Sequence, residues 1–204
     1  MKKIKAKPLF ITCLFCLMPV LLGLGLYNSL PDKIAIHFDL YNNPDNYGSK
    51  ALFVFGFPAF MTALQAFICI LGDVTNSYGN KRIEAVYKAI IPIVNLVVYV
   101  CTMLFALGKN VDISQIAVFL SGLMLVAMGN YMPKFDYVNW FNEKIEGHKA
   151  KKINRILGYM AVALGVVIMA AMFLPPLFKV GALLLMIPYG VFALIITYKI
   201  KKSM

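Results

Sequence analysis

Acidic residues and histidines are scarce in this chain, and charge of either sign is thin. Nine Asp and Glu and two His are spread over 204 residues, with 14% of positions charged and 61% hydrophobic. Soluble chains carry about 25% charged and roughly 45–50% apolar residues. A chain of this length has too little interior to hide the excess apolar surface. A soluble domain is therefore excluded, and lipid is the remaining shield. The two histidines, His37 and His148, fall in different loops, so no paired-histidine metal motif exists. The four cysteines, Cys13, Cys16, Cys69 and Cys101, all sit in apolar stretches. They read as small packing residues, and no disulfide framework supports the loops. Low-complexity tracts are absent, and no convincing internal repeat suggests an inverted-repeat transporter.

What is abundant is basic charge: twenty Lys and Arg give a net +11. In a soluble protein that balance would suggest an anionic partner. Cutting the chain at its charged residues gives it another meaning. Six uncharged runs appear, Lys7 to Asp32, Lys50 to Asp73, Lys88 to Lys109, Asp112 to Lys134, Arg155 to Lys179 and Lys179 to Lys199. They hold 24, 22, 20, 21, 23 and 19 residues. At 1.5 Å rise per residue, about 20 residues cross roughly 30 Å of hydrocarbon. Lipid also demands closed backbone hydrogen bonding, so the runs predict helices. The expected fold class is all-α: a single polytopic membrane domain, 1–204, of six transmembrane helices. Spans 1 and 2 with their loop occupy 1–72, spans 3 and 4 occupy 73–133, a loop follows at 134–155, and spans 5 and 6 occupy 156–204.

The lysines at 2, 3, 5 and 7 precede an apolar run, as in a signal peptide. The run is too long for that, and Tyr27-Asn28-Ser29-Leu30 has no small-x-small cleavage site, so it reads as an uncleaved first span. Six spans put both termini on one side. That side holds sixteen of the twenty basic residues and five of the nine acidic ones. The positive-inside rule places it in the cytoplasm. The net charge is then a topology signal, and direct nucleic-acid binding is not expected.

Two loops are long enough to carry function. In the outer one, residues 28–50, Ile34, Ile36, Phe38 and Leu40 alternate with Ala35, His37, Asp39 and Tyr41, which predicts a short strand and allows a small β-hairpin. His37 and Asp39 would be same-face neighbours. Asn42-Asn43-Pro44-Asp45 predicts a turn, and Tyr47-Gly48-Ser49-Lys50 leads into span 2. His37, Asp39, Asp45, Tyr47 and Lys50 are the candidate ligand-binding residues of this loop. An imidazole beside carboxylates can bind a metal, sense pH or catalyse. Equally, His37 and Asp39 can hydrogen-bond to each other and pin the loop. A metal site wants three or four ligands and His-x-Asp supplies two; no nucleophile constellation is present. The expectation is no enzyme, no catalytic residue, no metal and no cofactor.

The inner loop and its flanks, 129–158, carry Asn130, Lys134, Asn139, Trp140, Lys151, Lys152 and Arg155 as candidates for contact with a partner or with anionic lipid. Its aromatic residues Phe135, Tyr137, Trp140 and Phe141 predict an interfacial helix at the headgroup boundary. Pro175-Pro176 with Lys179 predicts a tight outer turn between spans 5 and 6. The six runs contain no Asp, Glu, Lys, Arg or His, which counts against ion-coupled transport. Gln65, Asn95, Thr102 and Ser121 are positioned to hydrogen-bond between helices, and Ala161 and Gly165 permit close packing.

Both loops carry a resemblance. Leu30, Pro31, Ile34, His37 and Phe38, then Pro44, Asp45, Tyr47, Gly48, Ser49 and Lys50, resemble the outer-loop pattern of the Sdp immunity-protein (SdpI-like) family of bacterial membrane proteins. Asn42 stands where that pattern has Gly, and Asn tolerates the left-handed conformation. Gly129, Asn130, Met132, Pro133, Lys134, Asn139, Trp140, Phe141, Arg155 and Gly158 are similar to the family's second half. Asn142-Glu143-Lys144-Ile145 departs from the family's Gly-x-Arg-x-Pro-Trp. The resemblance implies six spans and immunity to a secreted killing peptide, met at the outer loop by binding or sequestration. It also implies, for some members, signalling through the inner loop to a cytoplasmic transcriptional repressor. Two other classes stay open on the residues alone: a small-molecule or lipid transporter, and a metal-dependent membrane enzyme using His37, Asp39 and Asp45.

Overall fold

The computed structural model describes residues 4–75, 81–140 and 143–203. Lys2, Lys3, Phe141 and Asn142 lie outside the described residues. Among the described residues, six helices are long and apolar enough to cross a membrane: Ala6–Gly25, Leu52–Thr75, Ile83–Ala106, Ile113–Lys134, Gly147–Ala171 and Pro176–Lys202. This is the makeup of a multi-pass membrane protein. Large apolar side chains along them, such as Phe10, Phe67 and Leu177, are mostly exposed, as expected of surface meant for lipid rather than water. The chain divides into two compact units, Met1–Ala117 and Val118–Met204.

In the first unit, the opening span is two helices, α1 (Ala6–Leu17) and α2 (Pro19–Gly25). Pro19 has no N–H to offer the preceding turn, so the ladder breaks there. Asn95 Nδ2 donates to Cys16 O at 2.8 Å beside the break. Strands β1 (Lys33–Phe38) and β2 (Pro44–Ser49) follow as an antiparallel hairpin. The chain re-enters the helical region through a wide π turn, Leu52–Gly56, where Phe57 N–H reaches back to Leu52 O. Pro58, which cannot donate, opens the turn into α3 (Phe57–Thr75). Helix α4 (Lys81–Ala106) then leads to the start of α5 (Ile113–Tyr131). The core is Leu30, Ile34, Phe53, Val54, Tyr99 and Met103. The Phe53 and Tyr99 rings stack within it at 4.8 Å between centroids. These contacts seat the hairpin on one end of α4.

The second unit holds the rest of α5, a 3-10 turn at Met132–Lys134, strands β3 (Tyr137–Trp140) and β4 (Glu143–Glu146), and α6 (Gly147–Ala171). Helices α7 (Pro176–Leu184) and α8 (Met186–Lys202) together form its last span. Helices α5 and α6 touch backbone to backbone. A Cβ on Gly122 would lie 2.5 Å from Gly165 O, and one on Gly129 2.7 Å from Gly158 O. Each helix thus offers two glycines seven residues apart, a small-residue seam of the kind that joins helices in lipid.

Three expectations are corrected here. The 134–155 loop is a β-hairpin, Tyr137 to Trp140 against Glu143 to Glu146, rather than an interfacial helix. Asn154 explains it: its Nδ2 donates to Phe135 O at 2.9 Å and Tyr137 O at 3.0 Å, occupying acceptors a helix would have used itself. Lys179 does not mark a turn; it is buried at the end of the first turn of α7. The membrane-length helices are also not free of ionisable groups, because Asp73, Glu84, Lys88 and Lys179 lie buried within them.

Those acids and Lys88 explain why charge was a poor guide to where the helices end. Lys88 Nζ donates to Asp73 Oδ1 and Glu84 Oε1, both at 2.8 Å. Lys5 adds its Nζ to Glu84 Oε2 and its backbone N–H to Asp73 Oδ2. Two cations and two carboxylates neutralise one another, which is the condition for burying such groups.

Candidate functional site

The β1–β2 hairpin is the most elaborated surface feature of the first unit. Its register pairs Ala35 with Tyr47, His37 with Asn46 and Phe38 with Pro44, which leaves Ile36 and Asp45 as extra residues. This bulge overturns the expected alternation. Ile34 and Ala35 are both buried, whereas Ile36 and His37 are both exposed. An extra residue on each strand breaks the alternation of faces locally.

The bulge also changes the partner of His37. Its Nδ1 lies 2.5 Å from Asp45 Oδ1, across the hairpin, not against Asp39. Asp39 instead closes the turn: Oδ1 accepts the N–H groups of Tyr41 and Asn43 at 2.8 Å, and Oδ2 accepts Asn43 Nδ2 at 3.0 Å. The Asn43 bonds, side chain first and then backbone, hold the Asp39 carboxyl below its ordinary pKa, with Tyr41 adding to them.

Asn42, which the sequence placed where a Gly was expected, has φ +66°. It therefore takes the left-handed turn itself. Its side chain then bonds outward, Nδ2 to Val111 O at 3.0 Å and Oδ1 from Ile113 N–H at 2.8 Å. The hairpin tip is thereby held to the segment between α4 and α5. At the other end, Lys50 Nζ pairs with Asp32 Oδ1 at 2.9 Å and lies 5.1 Å over the Tyr27 ring. Phe38 meets Phe105 edge to face at 4.9 Å.

Of the five residues expected to act together, the structure joins only His37 and Asp45. Tyr47 is exposed on β2, while Asp39 and Lys50 shape the turn and the base. Beneath the hairpin is an apolar cleft of about 350 Å³, walled by Ile36, Phe38, Leu52, Phe57, Phe60 and Val98 among others. An exposed edge strand above an apolar cleft can take up an extended peptide: the backbone pairs with the edge and a side chain enters the cleft. Among the described residues, no three His, Cys, Asp or Glu side chains are grouped to hold a metal ion.

The second set of candidates clusters around the β3–β4 hairpin. Asn130, Lys134, Asn139, Lys152 and Arg155 are exposed. Lys134 Nζ lies 4.0 Å from the Tyr131 ring centroid, and Lys151 pairs with Asp136 at 3.3 Å. The Trp140 backbone pairs with Glu143. The residue that positions this group is Asn154, which sequence reasoning missed; a lone Asn between Lys152 and Arg155 gave no periodic signal. The Asp73, Glu84 and Lys88 cluster was also missed, although the four-residue spacing of Glu84 and Lys88 is a helical ion-pair spacing.

A family model described as a domain of unknown function (DUF1648) matches residues 14–62, from mid-α1 through the hairpin to the start of α3. No curated protein and no solved structure matches the chain.

Proposed function

We propose that this chain is an immunity protein of the bacterial plasma membrane, with both termini cytoplasmic, that binds or sequesters a secreted antimicrobial peptide at the β1–β2 hairpin. The observation that carries this reading is the hairpin itself, fixed at base and tip and set above an apolar cleft of about 350 Å³. Edge pairing plus an apolar pocket suits an extended amphipathic peptide. The resemblance of residues 30–50 to the SdpI-like pattern and the 16:4 distribution of basic residues support the same reading. The mechanism is binding, with no covalent step. The β3–β4 hairpin, with Lys134, Asn139, Lys151, Lys152 and Arg155 exposed or at its rim, is then the face for anionic lipid headgroups and for a cytoplasmic repressor.

The test is rescue of a sensitive strain challenged with secreted antimicrobial peptides, including any encoded beside its gene. Ile36→Asp and Phe60→Asp, aimed at the cleft, are expected to weaken rescue at unchanged membrane abundance. Full protection by a chain lacking residues 32–48 would overturn the reading.

A second reading, ion-coupled transport, is favoured by one observation: Asp73, Glu84 and Lys88 are ionisable and buried within membrane-length helices. Uptake by proteoliposomes that is lost in Asp73→Asn would support it.

A further inference from the structure

Between α1 and α4 runs a groove with two chemically different ends. One end is a cavity of about 400 Å³ walled by Ile11, Phe15, Met18, Pro92, Ile93 and Leu96, with almost no polar surface. It shares Ile11 and Thr12 with a second cavity of about 450 Å³, whose rim carries Lys5, Lys7, Lys81 and Lys88. Ala89 and Pro92, one small and one ring-closed, leave the space on the α4 side. The four lysines are not equivalent. Lys5 and Lys88 are neutralised by Glu84 and Asp73. Lys7 and Lys81 are exposed at the mouth and make no salt bridge among the described residues. From Lys7 to Met18 the helix rises about 16 Å, close to the roughly 15 Å depth of one leaflet's hydrocarbon.

We propose that this groove binds one anionic phospholipid of the surrounding bilayer, with its phosphate between Lys7 and Lys81 and one acyl chain along Ile11, Phe15, Pro92 and Ile93. A cationic mouth at the end of an apolar slot selects a headgroup of negative charge on a long chain. The carboxylates of Asp73 and Glu84 offset Lys5 and Lys88, which leaves Lys7 and Lys81 to supply the net positive charge at the mouth. The site uses no residue of either hairpin and is independent of the peptide-binding reading.

The experiment is native mass spectrometry of the purified full chain, titrated with phosphatidylglycerol or phosphatidylcholine. Phosphatidylglycerol is expected to be retained preferentially. The pair Lys7→Glu and Lys81→Glu is expected to weaken its binding about thirtyfold. The control pair Lys33→Glu and Lys109→Glu changes net charge equally and is expected to leave binding intact. Equal retention of the two lipids, an unaffected Lys7/Lys81 variant, or an equal loss in the control pair would each overturn the proposal. A photoreactive benzophenone side chain at position 15, in the chain with its native lysines, covers the case in which the charge variant does not fold. It is expected to label the acyl chain of phosphatidylglycerol, and failure to label it counts against the site.

Discussion

The Gln65 side-chain amide donates to the Lys88 carbonyl at 2.8 Å, the carbonyl that Pro92 leaves without its helical donor four residues on. Proline inside a membrane helix is tolerated where a neighbour satisfies the freed acceptor. Here the neighbour is α3. Gln65→Leu is expected to cost about 1 kcal/mol, and adding Pro92→Ala, which restores an N–H to α4, should recover most of it. Thermal unfolding of the two variants in detergent checks this. An additive double variant would sever the link between the two residues.

The Asp73, Glu84 and Lys88 cluster should be strongly non-additive. Lys88→Met leaves the buried Asp73 and Glu84 carboxylates with Lys5 as their remaining basic partner among the described residues, a loss of roughly 3–5 kcal/mol. Neutralising all three, with Asp73→Asn and Glu84→Gln added, should restore much of the stability. Denaturant unfolding of the single and triple variants measures the difference.

The glycine seam of α5 and α6 has no room for a side chain. Gly129→Val or Gly165→Leu would drive a side chain into the facing backbone, where less than 3 Å is available, and should cost roughly 1–3 kcal/mol or more. Gly181→Ala, with nothing within 4 Å of the added atom, is the neutral control. Membrane abundance and melting temperature report both.

Asp39 makes the hairpin turn sensitive to acid. Its carboxyl pKa is lowered in the folded turn. The ionised form is therefore the one that stabilises, fully above the unfolded value of about 4 and lost as pH falls through the depressed value. Amide protection at Tyr41 and Asn43 should fall in that acid range, and Asp39→Asn should remove the pH dependence. Hydrogen exchange against pH decides it.

Much of the fold was legible because lipid sets a simple rule, about twenty uncharged residues per crossing. The rule located all six helices. It misplaced their ends at Asp73, Glu84, Lys88 and Lys179, because a charge that finds a partner can be buried and a one-dimensional reading sees no partners. The hairpin at 33–49 was legible from alternation and turn residues, but its bulge was not. Ile36 carries no signal that it is the extra residue, so His37 was paired with Asp39 instead of Asp45. The β3–β4 hairpin stayed hidden because aromatic and basic residues in a juxtamembrane loop suit a helix equally well. Only the carbonyls held by Asn154 decide between them.

Asn42 makes the first hairpin a beam supported at both ends instead of a cantilever hung from Lys50 and Asp32. A ligand that pries the strands upward must first break either the ion pair at one support or the two hydrogen bonds of the Asn42 side chain at the other. Whichever gives way decides whether the pull is delivered to the entry of α3 or to the first turn of α5.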